Sequence, residues 1–229
     1  MSTTRALRPL PLGLALLAAA AVAAVALAVV GAPAAAQADG SGKHAAKSGI
    51  SQEELALRNE MRKLWEDHIT WTRLAIISLT TDAPDTEATV GRLLQNQTDI
   101  GDAIKPFYGD AAGDELTRLL RDHILIAADI IAAAKAGDGA GVADGQASWR
   151  ANADEIAAFL NAANPRSWKL REMKEMLYEH LRLTTDEVVA RLQGDWAADV
   201  AAYDRIHVQA LEMADMLSTG IVRQFNRRF

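Results

Sequence analysis

An all-α fold, an antiparallel helical bundle of about six helices with a duplicated helical hairpin, follows from three features of the sequence. From residue 51 onward, apolar residues recur at intervals of three and four, with no sustained alternation of period two. Ala, Leu, Glu and Arg, all strong helix formers, dominate that region. The helical stretches run about 20 to 30 residues and are separated by short turn-forming segments, which favours antiparallel neighbours.

Residues 1–36 are set aside first, because they read as a secretion signal peptide. Arg5 and Arg8 supply a positive start, Leu10 to Val30 is almost wholly apolar, and Ala34, Ala35 and Ala36 offer an A-x-A cleavage site. The expected location is periplasmic or extracellular. The apolar run is long enough to span a bilayer, so membrane attachment follows only if the segment is left uncleaved. With no cysteine in the chain, neither a lipid-modified cysteine nor a disulfide is available. Residues 37–50, "QADGSGKHAAKSGI", are small and polar and read as a flexible tether carrying a solvated His44.

The helical bundle domain is expected over residues 51–229. Ser51 followed by Glu54 has the spacing of a capping box, so a long helix starts there. It runs to about Leu79 and breaks at "TTDAPD". The second helix spans about Thr86 to Lys105 and ends at Pro106; the third spans about Asp114 to Ala136. "GDGAG" at 137–141 is expected to be a flexible connection. The fourth helix covers about Val142 to Ala163 and stops at "NPRS", the fifth about Trp168 to Leu192, and a sixth follows Gly194 and passes Leu217.

A faint repeat runs through the series. His68, His123 and His180 fall in the first, third and fifth helices, 55 and 57 residues apart. The helices between them carry "NQTDIG" and "NADEIA", which pair Asn96 and Asp99 with Asn152 and Glu155. A duplicated helical hairpin accounts for this economically. The sixth helix fits less well, with His207 27 residues after His180, so a strict three-fold repeat is not expected.

Leu64, His68 and Trp71 lie in one apolar stripe, as do Leu119, His123 and Ile126. His180 lies on a similar line through Met173, Met176 and Leu183, beside a competing stripe through Leu177 and Leu181. At least two of the histidines, His68 and His123, are therefore expected to face the interior, while the competing stripe would push His180 sideways. The acids that precede them, Asp67, Asp122 and Glu179, point about 100° away, so partners must come from other helices. Asn96, Asp99, Asn152, Glu155 and Asp204 are the candidates, because a buried imidazole needs hydrogen bonds or a metal to offset its desolvation.

The resulting metal site would use His68, His123 and His180, with Asp99, Glu155 or Asp204 as carboxylate ligands. Zinc, copper, iron and manganese all suit imidazole and carboxylate together. The alternative is a non-catalytic structural or interaction module in which the same side chains form a buried polar network fixing helix register. Other features have structural readings: Trp149, Trp168 and Trp196 as plugs of the bundle ends, Met173, Met176, Met213 and Met216 as core, and Arg73, Arg223, Arg227 and Arg228 as helix caps or solvated groups. His207 reads as solvated or locally paired.

The whole chain carries a formal charge of −6, and losing Arg5 and Arg8 with the leader makes it more acidic. That argues against nucleic acid and anionic lipid as main partners and is compatible with cations; the partner expected is a metal ion or small ligand. The sequence contains no G-x-S-x-G elbow, phosphate loop, H-E-x-x-H or dinucleotide fingerprint, so no motif supports catalysis.

W-x-x-H-x-x-W-T-R at 65–73, "NQTDIGDAIKPFYG" at 96–109, "LLRDHILIAADI" at 119–130, "NADEIAAFLNAANP" at 152–165 and "DWAADVAAYD" at 195–204 together carry a resemblance. The chain resembles a family of small bacterial all-helical proteins over nearly all of the region after the leader. The resemblance implies that the helical domain recurs, and it carries over no activity, cofactor or site residue.

Overall fold

The computed structural model describes residues 49–229, which fold as an antiparallel bundle of six helices. These are α1 (Gln52–Thr81), α2 (Thr86–Tyr108), α3 (Asp110–Lys135), α4 (Gly139–Ala163), α5 (Leu170–Gln193) and α6 (Trp196–Gln224). The expected leader and nearly all of the tether lie outside the described residues. Among the described residues no helix is long and apolar enough to cross a membrane.

Each helix packs on the next, and α6 returns to pack on α1, so the six close into a ring in chain order. Inside the ring α1 also touches α3 and α5. α1, α3 and α5, which carry His68, His123 and His180, are therefore the inner helices. Their partners α2, α4 and α6 complete three hairpins, and the polar pairings described below repeat from one hairpin to the next.

Local chemistry explains most boundaries. The Ser51 hydroxyl oxygen accepts the amide of Glu54 at 3.0 Å and starts α1 as expected. Pro106, expected to end α2, sits inside its last turn, and the helix stops at Gly109 instead. Gly109 has φ 85° and ψ 166°, a conformation essentially confined to glycine, which lets α3 begin one residue later. The expected flexible connection at 137–141 is also shorter than its glycines suggest. Asp138 accepts the amide of Gly141 at 2.9 Å, and this cap draws Gly139, Ala140 and Gly141 into the first turn of α4.

The largest apolar cluster fills one half of the bundle. It is built around Met61, Trp65, Leu116, Ile156, Met173 and Met213. Trp168, in the loop before α5, is buried against α6, where a Cβ on Gly220 would lie 2.1 Å from the indole Nε1. Gly220→Ala is therefore expected to displace that indole and cost about 1–3 kcal/mol. A lowered melting temperature with a changed near-ultraviolet circular dichroism spectrum would bear this out, and an unchanged spectrum would count against it.

Candidate functional site

The three histidines form one layer at mid-bundle, buried to 3% exposure at His68, 5% at His123 and 4% at His180. The rings of His68 and His180 are 6.0 Å apart between centroids, and those of His123 and His180 are 6.2 Å apart. Trp65 stands edge-on to His68 at 5.5 Å, and Trp149 lies 5.1 Å from His123. Trp149 donates its indole N–H to the His123 carbonyl at 3.0 Å. It thus walls the histidine layer rather than plugging a bundle end.

Each histidine has a carboxamide from the second helix of its own hairpin within 3.2 Å of its Nδ1. Asn152 Nδ2 donates to the Leu119 carbonyl at 3.0 Å, which turns Oδ1 toward His123 Nδ1 at 2.8 Å. Gln209 does the same in the third hairpin: Nε2 donates to the Met176 carbonyl at 3.1 Å, and Oε1 meets His180 Nδ1 at 3.1 Å. In both hairpins the anchored carbonyl is four residues before the histidine. Because the amide N–H is committed to that carbonyl, the amide oxygen accepts from imidazole, so Nδ1 of His123 and of His180 carries the proton.

The first hairpin follows the plan with one addition. Asn96 Nδ2 donates to the Leu64 carbonyl at 3.1 Å, again four residues before the histidine. Beside it Gln97 Nε2 donates to the Leu93 carbonyl at 2.8 Å and to Asn96 Oδ1 at 3.1 Å, and lies 3.2 Å from His68 Nδ1. The two N–H bonds of Gln97 are thus taken by oxygens. Gln97, Asn152 and Gln209 all fall 29 residues after their histidines. The repeat is therefore three-fold in the spacing of its polar contacts, and its third partner is Gln209 rather than His207.

Burial pushes the pKa of His68 and of His123 down to about 3, with repulsion from neighbouring imidazoles adding to the effect. Burial also lowers His180. The layer is therefore neutral near pH 7. Among the described residues no hydrogen bond reaches any of the three Nε2 atoms. All three rings line a cavity of about 100 Å³ that extends from them toward the C-terminal ends of α1, α3 and α5.

The carboxylates expected as ligands do not join this layer. Asp99 is half-exposed, accepts from Gln95 at 3.1 Å and pairs ionically with Arg92 at 3.6 Å. Glu155 and Asp204 are exposed on the outer faces of α4 and α6. His207 is also at the surface, 3.1 Å from Glu66. The cause is desolvation: a carboxamide can be buried once its hydrogen bonds are made, whereas a carboxylate needs a counter-charge that the layer lacks.

A buried ionic cluster lies on the cavity side of the layer, and it overturns the reading of Arg73 as a cap or solvated group. Arg73 donates to both oxygens of Asp199, at 2.8 and 3.0 Å, and to Glu187 at 2.6 Å. Arg191 reaches Asp199 at 2.9 Å. Burial pushes Glu187 up to about 7 despite Arg73. Burial also opposes the charge of Asp199, but the bonds from Arg73 and Arg191 outweigh it and hold that carboxyl below its ordinary range.

No family model, curated protein or solved structure matches the chain. Among the described residues no group of three or more His, Cys, Asp or Glu side chains is spaced, as it stands, to hold a metal ion.

Proposed function

We propose that the protein binds a transition-metal ion through His68, His123 and His180, without a carboxylate ligand. The observation that carries this reading is the orientation of the imidazoles. Carboxamides fix Nδ1–H of His123 and of His180, which leaves the Nε2 lone pairs facing one cavity. Metal-bound histidines have this arrangement, with the second nitrogen donating to an outer partner that sets tautomer and basicity. An all-imidazole set moves the preference away from manganese, which favours carboxylate, and toward zinc or copper. Bonds of about 2 Å to one ion require the rings to draw in from their present spacing. The leader, if it acts as expected, would set this site outside the cytoplasm.

The ring spacing favours a second reading, in which the carboxamide–imidazole pairs fix the register of each hairpin and no ion is held. One experiment separates the two. Untagged protein is loaded with zinc, copper, iron or manganese, dialysed and analysed for metal beside His68→Ala, His123→Ala, His180→Ala triple variant, with circular dichroism reporting folding. Metal binding predicts near-stoichiometric ion in the wild type, none in the folded variant, and stabilisation of about 2.7 kcal/mol at a hundredfold excess over Kd. A wild type that takes up none of the four ions leaves the register network as the reading.

A further inference from the structure

We infer that the chamber above the histidine layer is a binding site for a small, neutral, mainly apolar molecule carrying one hydrogen-bond donor, of the phenol class. This goes beyond ion binding and concerns the protein free of metal.

The lining sets the ligand's character. Among the described residues no Asp, Glu, Lys or Arg contributes to it, so a charged guest would lose its hydration without a counter-charge. The walls are aliphatic, with Ala75, Ala127, Ala128 and Ala134 too small to fill the space between α1, α3 and α5. The threonine hydroxyls in the wall are already committed: Thr72 donates to the His68 carbonyl at 2.7 Å, Thr184 to the His180 carbonyl at 2.9 Å and Thr185 to the Leu181 carbonyl at 2.8 Å. What remains at the floor is the set of imidazole Nε2 atoms. Those of His123 and His180 are acceptors, because their Nδ1 atoms carry the protons.

Size and access agree with a single-ring guest. An engineered apolar cavity of about 150 Å³ stays dry and holds benzene. This chamber, at about 100 Å³, is smaller but opens where Gln146, Val189 and Leu192 are both lining and exposed. Apolar residues at the mouth, Val189 at 43% and Leu192 at 38% exposure, offer an entering ring apolar contact.

The test uses the full protein kept metal-free with chelator, titrated with phenol and with toluene, its counterpart lacking the hydroxyl. Melting temperature and tryptophan fluorescence are read together, since Trp149 lines the chamber. Phenol is expected to raise the melting temperature and perturb the fluorescence, with toluene at least tenfold weaker. Ala127→Leu should fill the chamber and abolish both responses; if that variant does not fold, Ala134→Leu, nearer the mouth, takes its place. No phenol response in the wild type, equal affinity for toluene, or undiminished binding by the folded filled variant would each overturn the inference. Because no metal is present, these outcomes are independent of whether the protein takes up an ion.

Discussion

Asp199→Ala is expected to cost about 3–5 kcal/mol of stability, among the largest effects of any single substitution in this bundle. Asp199 is 1% exposed and, among the described residues, is the only carboxylate that both Arg73 and Arg191 reach. Removing it leaves two partly buried guanidiniums facing Glu187 alone. The cost is that of stranded charges rather than of the lost attraction. Glu187→Gln should cost less, because burial already keeps the Glu187 carboxyl partly protonated near pH 7 and glutamine can still accept from Arg73. Urea denaturation of the two variants beside the wild type measures both. A loss below about 1 kcal/mol for Asp199→Ala, the range of exposed ion pairs, would mean that solvent screens the cluster.

Acidification from pH 7.5 to 5 should destabilise the metal-free protein, and the histidine layer should be the cause. His68 and His123 titrate near 6.5 when unfolded, but burial holds them to about 3 in the fold. Below pH 6.5 the unfolded chain binds protons that the folded chain refuses, so stability falls with pH, by about 2 kcal/mol per histidine at pH 5. Burial lowers His180 in the same direction. Glu187 opposes them. Its carboxyl, raised to about 7 from 4.5, holds a proton in the fold that the unfolded chain lacks between those values, so its contribution grows as pH falls, by about 2 kcal/mol. The histidines outnumber it, and the net slope is a loss. Replacing all three with glutamine should flatten or reverse the urea-midpoint slope over this range, and an unchanged slope would falsify the assignment.

The legible part of the site and the illegible part differ in kind. The inward aim of His68 and His123 could be read from apolar stripes, because helical periodicity is local; that of His180, set between two competing stripes, was settled by packing. Their carboxamide partners were half legible. Asn96 and Asn152 stood out in the repeated N-x-x-[DE] pattern, whereas Gln97 and Gln209 fall outside it. The signal that finds them is the constant spacing of 29 from each histidine, with glutamine standing for asparagine by one methylene. Asp99 and Glu155 misled for a chemical reason. They are good ligands on paper, but each lies three residues from a buried asparagine and turns to solvent, where a carboxylate keeps its hydration.

The helical class, Ser51 as the start of the bundle, the breaks near residues 82 and 164, and the interior placement of His68 and His123 were determined by the sequence alone. Each depends on residues within a turn or two of one another. Closure of α6 onto α1, the convergence of three rings, the pairing of Arg73 with Asp199 across 126 positions and the chamber left by small alanines were decided only in the tertiary structure. Those features depend on which faces meet and on whether the side chains between them fill the space. Periodicity carries the direction of a face but neither its partner nor the volume left over.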